Sequence, residues 1–396
     1  MRGATFRRGV PVWSVATVAT VSLMMLACNG DNPEADDLDF AYVSANPPSP
    51  ELISIQAGTL DQQDWVVAQP PRPDRANITP HFSPDGNWIA FEQRVPDLGE
   101  EVGRIHIVDI HDGRQIEVTG QLGHDERCQL LPRGWSPDGE DVAFVCHPVG
   151  DDGASRQVGF VNTDADATLL EPGDGIDAFS DIRFDSDGDL LVVADETDAT
   201  RSLRRLDTDD LDDGAGEVIS EFDDDRFIAD LQMSPDGDEL AMTRATDSDG
   251  WTARPEASVI VVDLQSGDRR TLLGGDDSGH HSVQHWHPDG DRLLVASGGY
   301  GADTGALRVV DADDGRDVAT LVEAQDLEHG TIRRAEVSPD GDTVIFSDND
   351  SEDGDPMRWS RGTIHVVDID GGGLQRFDEL SVPDETNQPT FRPTGR

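Results

Sequence analysis

The 396-residue chain contains no lysine, so all 30 of its basic Lys-or-Arg positions are arginine. That absence excludes a Walker A phosphate loop and any Schiff-base mechanism, both of which need the lysine amine. Cysteine is nearly absent as well: Cys28, Cys128 and Cys146 are the three in the chain, and no C-x-x-C pair occurs. A dinucleotide-binding glycine fingerprint is missing, and so is a hydrolase nucleophile elbow. Ser136 sits in Gly134-Trp135-Ser136-Pro137-Asp138, which is not G-x-S-x-G. Residues His281 to His285 do not form H-E-x-x-H, so zincin chemistry is not indicated. Positive charge of any kind is scarce. Against 81 Asp and Glu the arginines leave a formal net charge of −51, which makes nucleic acid a poor partner. At low salt such a surface repels itself, and at molar salt the Debye length falls to about 3 Å and screens it. The composition fits a salt-adapted source or an ordinary acidic envelope protein.

What is present begins with an export signal. Arg2, Arg7 and Arg8 precede an uncharged, largely apolar run from Val10 to Leu26. This run is shorter than the roughly 20 residues of a comfortable bilayer span, and Pro11 and Ser14 interrupt it. It ends in Met25-Leu26-Ala27-Cys28, which resembles a bacterial lipobox apart from Met25, where leucine is usual. The resemblance implies lipidation of Cys28 and membrane attachment through acyl chains, each buried methylene contributing about 0.8 kcal/mol. A plain secretory signal and a single membrane anchor are the alternatives. By the same resemblance Asn29, not aspartate, after the cysteine implies sorting to the outer membrane. The organisation expected is a lipoprotein signal peptide over 1–27, an acidic tether over 28–38 and a folded region over 39–396.

The dominant signal in the folded region is a repeat. Six segments align: HFSPDGNWIAF from His81, GWSPDGEDVAF from Gly134, RFDSDGDLLVV from Arg183, QMSPDGDELAM from Gln232, HWHPDGDRLLV from His285 and EVSPDGDTVIF from Glu336. They recur at roughly 50-residue intervals, the length of a propeller blade. Ser-Pro-Asp-Gly is a tight turn, with proline fixing one φ and glycine supplying the left-handed position that closes it. The apolar residues that follow are expected to alternate with period two, as in Trp88 to Phe91 and Thr343 to Phe346. A second column of apolar strands ends in Asp109, Asn162, Asp207, Asp263, Asp311 and Asp368. A short fourth strand follows, such as Arg269 to Leu273, which makes four strands per repeat.

These motifs resemble the S-P-D-G repeats of TolB-like, WD-repeat-like propellers of bacterial envelopes. The resemblance covers about 39–396 and implies an all-β propeller, but it says little about function, because such folds host scaffolds, peptidase gates and lyases. The chain ends supply one further blade. Phe391-Arg-Pro-Thr-Gly395 looks like a seventh turn cut short, while Phe40 to Ser44, Leu52 to Gln56 and Asp64 to Ala68 look like the strands it lacks. A seven-bladed β-propeller, closed by N-terminal strands plus a C-terminal strand, is therefore expected, with six blades as the alternative.

Several residues are candidates for chemistry. Cys128 and Cys146 flank one turn and are a candidate disulfide, against two buried thiols. His124, His147, His280, His281 and His329 fall on the rim opposite the S-P-D-G turns, and could hold a divalent metal there or stand scattered on the surface. The acidic stretches Asp185 to Asp189 and Asp348 to Gly354 miss the calcium-loop pattern and read as solvated turns. The connections between second and third strands hold Trp251, Arg254, Tyr300, Arg358, Trp359 and Arg361, aromatic and cationic side chains suited to ligand binding. With no catalytic signature and no cofactor motif, the expectation is a lipid-anchored binding or scaffold module for an envelope protein or polysaccharide. The alternative is a propeller enzyme, a lyase or hydrolase, acting on an extracellular polysaccharide through the rim histidines.

Overall fold

Each Ser-Pro-Asp-Gly unit folds as a self-capped turn. The Ser234 hydroxyl donates to Asp236 at 2.6 Å and accepts the Glu239 backbone N–H at 2.9 Å. Ser83, Ser136 and Ser338 make the same pair of bonds with Asp85, Asp138 and Asp340 and with the strands that follow. The turn therefore sets the register of the two strands it joins. Its glycine is required twice over at Gly341. There φ is +83°, and an added Cβ would lie 2.7 Å from the His287 ring of the preceding blade's turn.

The structure is a computed structural model and describes residues 39–44, 54–58, 64–68, 76–95, 102–117, 128–148, 157–164, 166–208, 210–211, 214–222, 227–245, 257–274, 280–298, 305–327, 330–350, 359–383 and 389–393. The signal peptide and the tether expected over 28–38, with Cys28, lie outside the described residues. Three strands come first, β1 (Phe40–Ser44), β2 (Ser54–Gly58) and β3 (Asp64–Ala68). Blade I is β4 (Ala76–Phe82), β5 (Trp88–Val95), β6 (Val102–Asp109) and β7 (Gln115–Glu117). Blade II is β8 (Cys128–Trp135), β9 (Asp141–Pro148), β10 (Gln157–Asn162) and β11 (Ala167–Leu170). Blade III is β12 (Ile176–Phe184), β13 (Leu190–Glu196), β14 (Arg201–Leu206) and β15 (Glu217–Phe222). Blade IV is β16 (Phe227–Met233), β17 (Glu239–Ala245), β18 (Ala257–Asp263) and β19 (Arg269–Leu273). Blade V is β20 (His281–Trp286), β21 (Arg292–Ser297), β22 (Ala306–Asp311) and β23 (Asp317–Glu323). Blade VI is β24 (Gly330–Val337), β25 (Thr343–Asp350), β26 (Trp359–Asp368) and β27 (Gln375–Pro383).

These six sheets are consecutive runs of chain, and a seventh is composite. The two-residue strand β28 (Thr390–Phe391) joins the N-terminal strands in the order β28-β1-β2-β3. Phe391 lies opposite Phe40 and Thr390 opposite Ala41, and the Arg392 N–H donates to the Asp39 carbonyl at 2.8 Å. The inner strands β4, β8, β12, β16, β20, β24 and β28 abut one another in that order, and β28 returns to β4. The ring is thereby closed. The second of the expected N-terminal strands is described over Ser54–Gly58, and Leu52 lies outside the described residues.

The core lies between blades. The period-two alternation expected of the second strands is not what the structure shows. Ile89, Ala90 and Phe91 of β5 are all buried, as are Val142 to Val145, Leu190 to Ala194, Leu240 to Met242 and Val344 to Phe346. Each sheet has a neighbour on both faces, so both sides of its middle strand leave water and the strand becomes a continuous apolar run. Tryptophans stitch blades together near the axis. Trp135 Nε1 donates to the His81 carbonyl at 3.0 Å, and Trp286 Nε1 donates to the Gln232 carbonyl at 2.8 Å. The third-strand aspartates cap the next turn as their position suggested: Asp263 Oδ1 accepts the Gln265 and Ser266 N–H groups at 3.0 and 2.7 Å.

Candidate functional site at the axial register

One position of the repeat departs from the uniformity of the rest. Two residues before the first residue of each turn, on the inner strand, stand His81, Gly134, Arg183, Gln232, His285, Glu336 and, in the composite blade, Thr390. The next position along is Phe82, Trp135, Phe184, Met233, Trp286, Val337 or Phe391, packed between blades or partly so. The first set forms one level around the propeller axis. Just upstream, β4, β8, β12, β16, β20 and β24 each carry a register shift against their second strand. Such bulges twist a strand and re-aim side chains, and they recur near binding sites. Two hold non-glycine residues at positive φ, Thr79 at 55° and Asp230 at 57°. Thr79 is β-branched and pays a steric cost there that aspartate largely avoids.

The axial level is charged. Arg183 of blade III donates from Nη1 to the Leu231 carbonyl of blade IV at 3.0 Å. Burial depresses its titration below the usual arginine range, opposed by the Asp181 and Glu336 carboxylates. Burial pushes the Glu336 carboxyl up to about 7, although the Thr390 hydroxyl, the Phe391 backbone N–H and Arg183 all favour its ionised form. Burial, with Arg183 nearby, pushes His285 down to about 4, so it is a neutral imidazole at neutral pH. One step toward the opposite rim, Arg334 of blade VI reaches past blade V to pair with Asp230 of blade IV, Nη1 to Oδ1, at 3.1 Å. Gly134 leaves a gap in this level: its φ is +139° and an added Cβ would meet nothing within 4 Å.

The residues singled out from sequence fall only partly within the described structure. His124, Trp251, Arg254, Tyr300, His329 and Arg358 lie outside the described residues. Trp359 and Arg361 fall in the first part of β26, and His147 near the end of β9. His280 bridges Ala257 just before β20 and His281 opens that strand, where burial and then Arg308 hold its titration below the usual histidine range. Among the described residues no group of three or more His, Cys, Asp or Glu side chains is arranged to hold a metal ion. Cys128 lies opposite Pro148 and Cys146 opposite Leu130, so the two cysteines are diagonal neighbours on the ladder. Diagonal pairs stand roughly 7–8 Å apart, at or beyond the about 7 Å reach of a disulfide.

The acidic stretches are not both solvated turns. Asp348 to Asp350 continue β25, and Asp348 is fully buried, accepting the Thr363 N–H at 3.0 Å and facing His365 Nε2 at 3.3 Å. Asp185 is buried too: it accepts the Asp187 and Asp189 N–H groups and pairs with Arg205 at 2.9 Å. A groove of about 320 Å³ beside it, in blade III, is lined by Asp189, Asp207, Asp210 and Glu217 among others.

No protein-family model matches the sequence, and no curated protein matches it. Solved structures do. A periplasmic gluconolactonase from Pseudomonas aeruginosa superposes with a TM-score of 0.58 at 14% identity, over 91% of this chain and 100% of that one. An oligogalacturonate lyase in complex with manganese gives 0.54 at 15% identity, over 86% and 84%. A putative TolB from Agrobacterium tumefaciens gives 0.50 at 15% identity, over 90% and 95%. The fold is a TolB-like β-propeller. At these identities the likeness extends to the fold alone. The propeller has charged and polar residues at its axial level. The axial register is legible in the aligned repeats as a variable column, in which only histidine recurs.

Proposed function

We propose that this protein is a lipid-anchored envelope propeller that binds a protein or polymer ligand through the rim opposite its Ser-Pro-Asp-Gly turns. The observation that supports this reading is the contrast between the rims. On one, Ser83, Ser136, Ser234 and Ser338 build the same capped turn. On the other, the second-to-third-strand connections range from 197–200 in blade III to 246–256 in blade IV. Ligand selection resides in connections that differ, mounted on a scaffold that does not. Trp251, Tyr300 and Trp359 are the aromatic anchors assigned to that rim, with Arg254, Arg358 and Arg361 beside them. No helix among the described residues is long and apolar enough to cross a membrane, and attachment is assigned to Cys28.

Two experiments test this reading. Cys28→Ser should move the protein from the membrane to the soluble fraction, and unchanged fractionation would refute the anchor. Binding to the membrane-free envelope fraction should fall at least tenfold in Trp251→Ala, Tyr300→Ala or Trp359→Ala. Retention in all three, with loss in turn-rim variants such as Asn87→Ala, would place the ligand on the wrong side. The enzymatic alternative draws on the propeller lyase and lactonase of like fold. A purified protein carrying near-stoichiometric transition metal would favour it.

A further inference from the structure

We propose that the axial channel holds a site for a carboxylate-bearing ligand, anchored on the Nε–Nη2 edge of Arg183. The inference is separate from the rim reading above and would survive its failure.

Three observations carry it. First, Arg183 is a half-buried guanidinium with no carboxylate in direct contact among the described residues, although the Asp181 and Glu336 carboxylates act on it from farther off. Arg104, Arg201, Arg204, Arg205, Arg270 and Arg334 each hold a carboxylate within 3.1 Å. In a chain with 81 acidic residues, an inner-strand arginine with no carboxylate in direct contact stands apart from these pairs. Its one hydrogen bond in the described structure uses Nη1, toward Leu231. The remaining edge presents two parallel N–H donors, the geometry that receives a carboxylate bidentately.

Second, space exists beside it. The neighbouring blade contributes glycine at the same register, and a Cβ there would meet nothing within 4 Å. Blade II thus leaves the level open between His81 and Arg183.

Third, the column holds six residue types over seven blades while the turn beside it repeats. Turn serines, turn glycines and the buried second strands serve the fold and recur. A position that only served the fold would recur with them. His81, Gly134, Arg183, Gln232, His285, Glu336 and Thr390 instead make an asymmetric set, as an asymmetric ligand requires. Gln232, neutral His285 and Thr390 offer polar partners for the rest of such a ligand without competing for its charge. The nearby acids do not exclude an anion. Asp230 is paired with Arg334, Asp181 is buried and accepts the Ile182 N–H at 2.8 Å, and Glu336, raised to about 7, carries only part of its charge at neutral pH.

Acetate is the probe. Thermal melts at fixed sodium molarity, with chloride progressively replaced by acetate, should show a saturable rise in melting temperature. Saturation-transfer NMR on the acetate methyl group should report contact with the protein. General salt effects on the acidic surface are common to wild type and variants, so their difference is what is read. Arg183→Gln should abolish the saturable part, each protein being compared with its own melting temperature in chloride. Arg183→Lys, which keeps the charge and loses the fork, should weaken acetate at least tenfold. An acetate response equal to chloride in the wild type, or one unchanged in both variants, would overturn the proposal.

Discussion

At the scale of single residues, the titration of Glu336 has a sign that can be checked. Its carboxyl would titrate at an ordinary value of 4.5 in the unfolded chain and at about 7 in the folded one. Between those values the folded state holds the extra proton. This group's contribution to stability therefore falls as pH rises from about 4.5 to about 7, and stays flat above. Glu336→Gln cannot titrate, and its amide oxygen can still accept from Thr390 and Phe391. Its stability relative to wild type should rise across that window by about 1–3 kcal/mol. Chemical denaturation of both proteins at pH 5, 6, 7 and 8 gives the difference directly. A difference independent of pH would mean that Glu336 is not desolvated. The turn aspartates have the opposite sign. Asp138, Asp236 and Asp340 are held below the usual carboxylate range, by the turn serine first and the backbone N–H after it. What they contribute is present above their ordinary value and lost as pH falls through the lowered one.

At the scale of strands and blades, the hydrogen bonds between neighbouring inner strands can be tested singly. Trp286→Phe keeps the ring between blades IV and V and deletes the donor to the Gln232 carbonyl. It should cost about 1 kcal/mol, and Trp286→Ala about 3–5 kcal/mol, by denaturant titration. Equal costs would mean that the ring, not the bond, is unimportant to packing. This is also the scale at which the sequence was most legible. The turn motif fixed the first two strands of each blade. Column endings at Asp109 and Asp263 fixed the third, and Arg269 to Leu273 is the fourth strand of blade IV as read. What was illegible depended on neighbours in space. Burial of both faces of β5 or β17 follows from blades stacked on either side, which a single strand's pattern does not announce. The bulges at Thr79 and Asp230 leave no trace in the apolar pattern. Asp348 looked like loop because its neighbours are acidic, yet β26 and His365 draw it into the sheet.

At the scale of the whole molecule, two properties govern stability, charge and closure. With 81 acidic residues against 30 arginines, self-repulsion should weaken the fold at low ionic strength. The melting temperature should rise continuously from low to molar potassium chloride, and a flat or falling curve would argue against salt adaptation. Closure rests on very little chain. Two residues of β28 on β1, the Arg392 N–H bond to Asp39 and the contacts of Glu336 with Thr390 and Phe391 join the two ends of the propeller. Both proposed sites presuppose that ring. The most direct test is a cross-link between Ala41→Cys and Thr390→Cys, with Cys28, Cys128 and Cys146 replaced by serine. Directly opposite residues on an antiparallel pair have Cα atoms about 4.5–5.5 Å apart, within the range of a disulfide. The closed ring predicts an intramolecular disulfide on mild oxidation, seen as faster migration on a non-reducing gel, and a higher melting temperature that reductant reverses. Failure to form that bond in the folded monomer, or its formation only between molecules, would contradict the closed propeller.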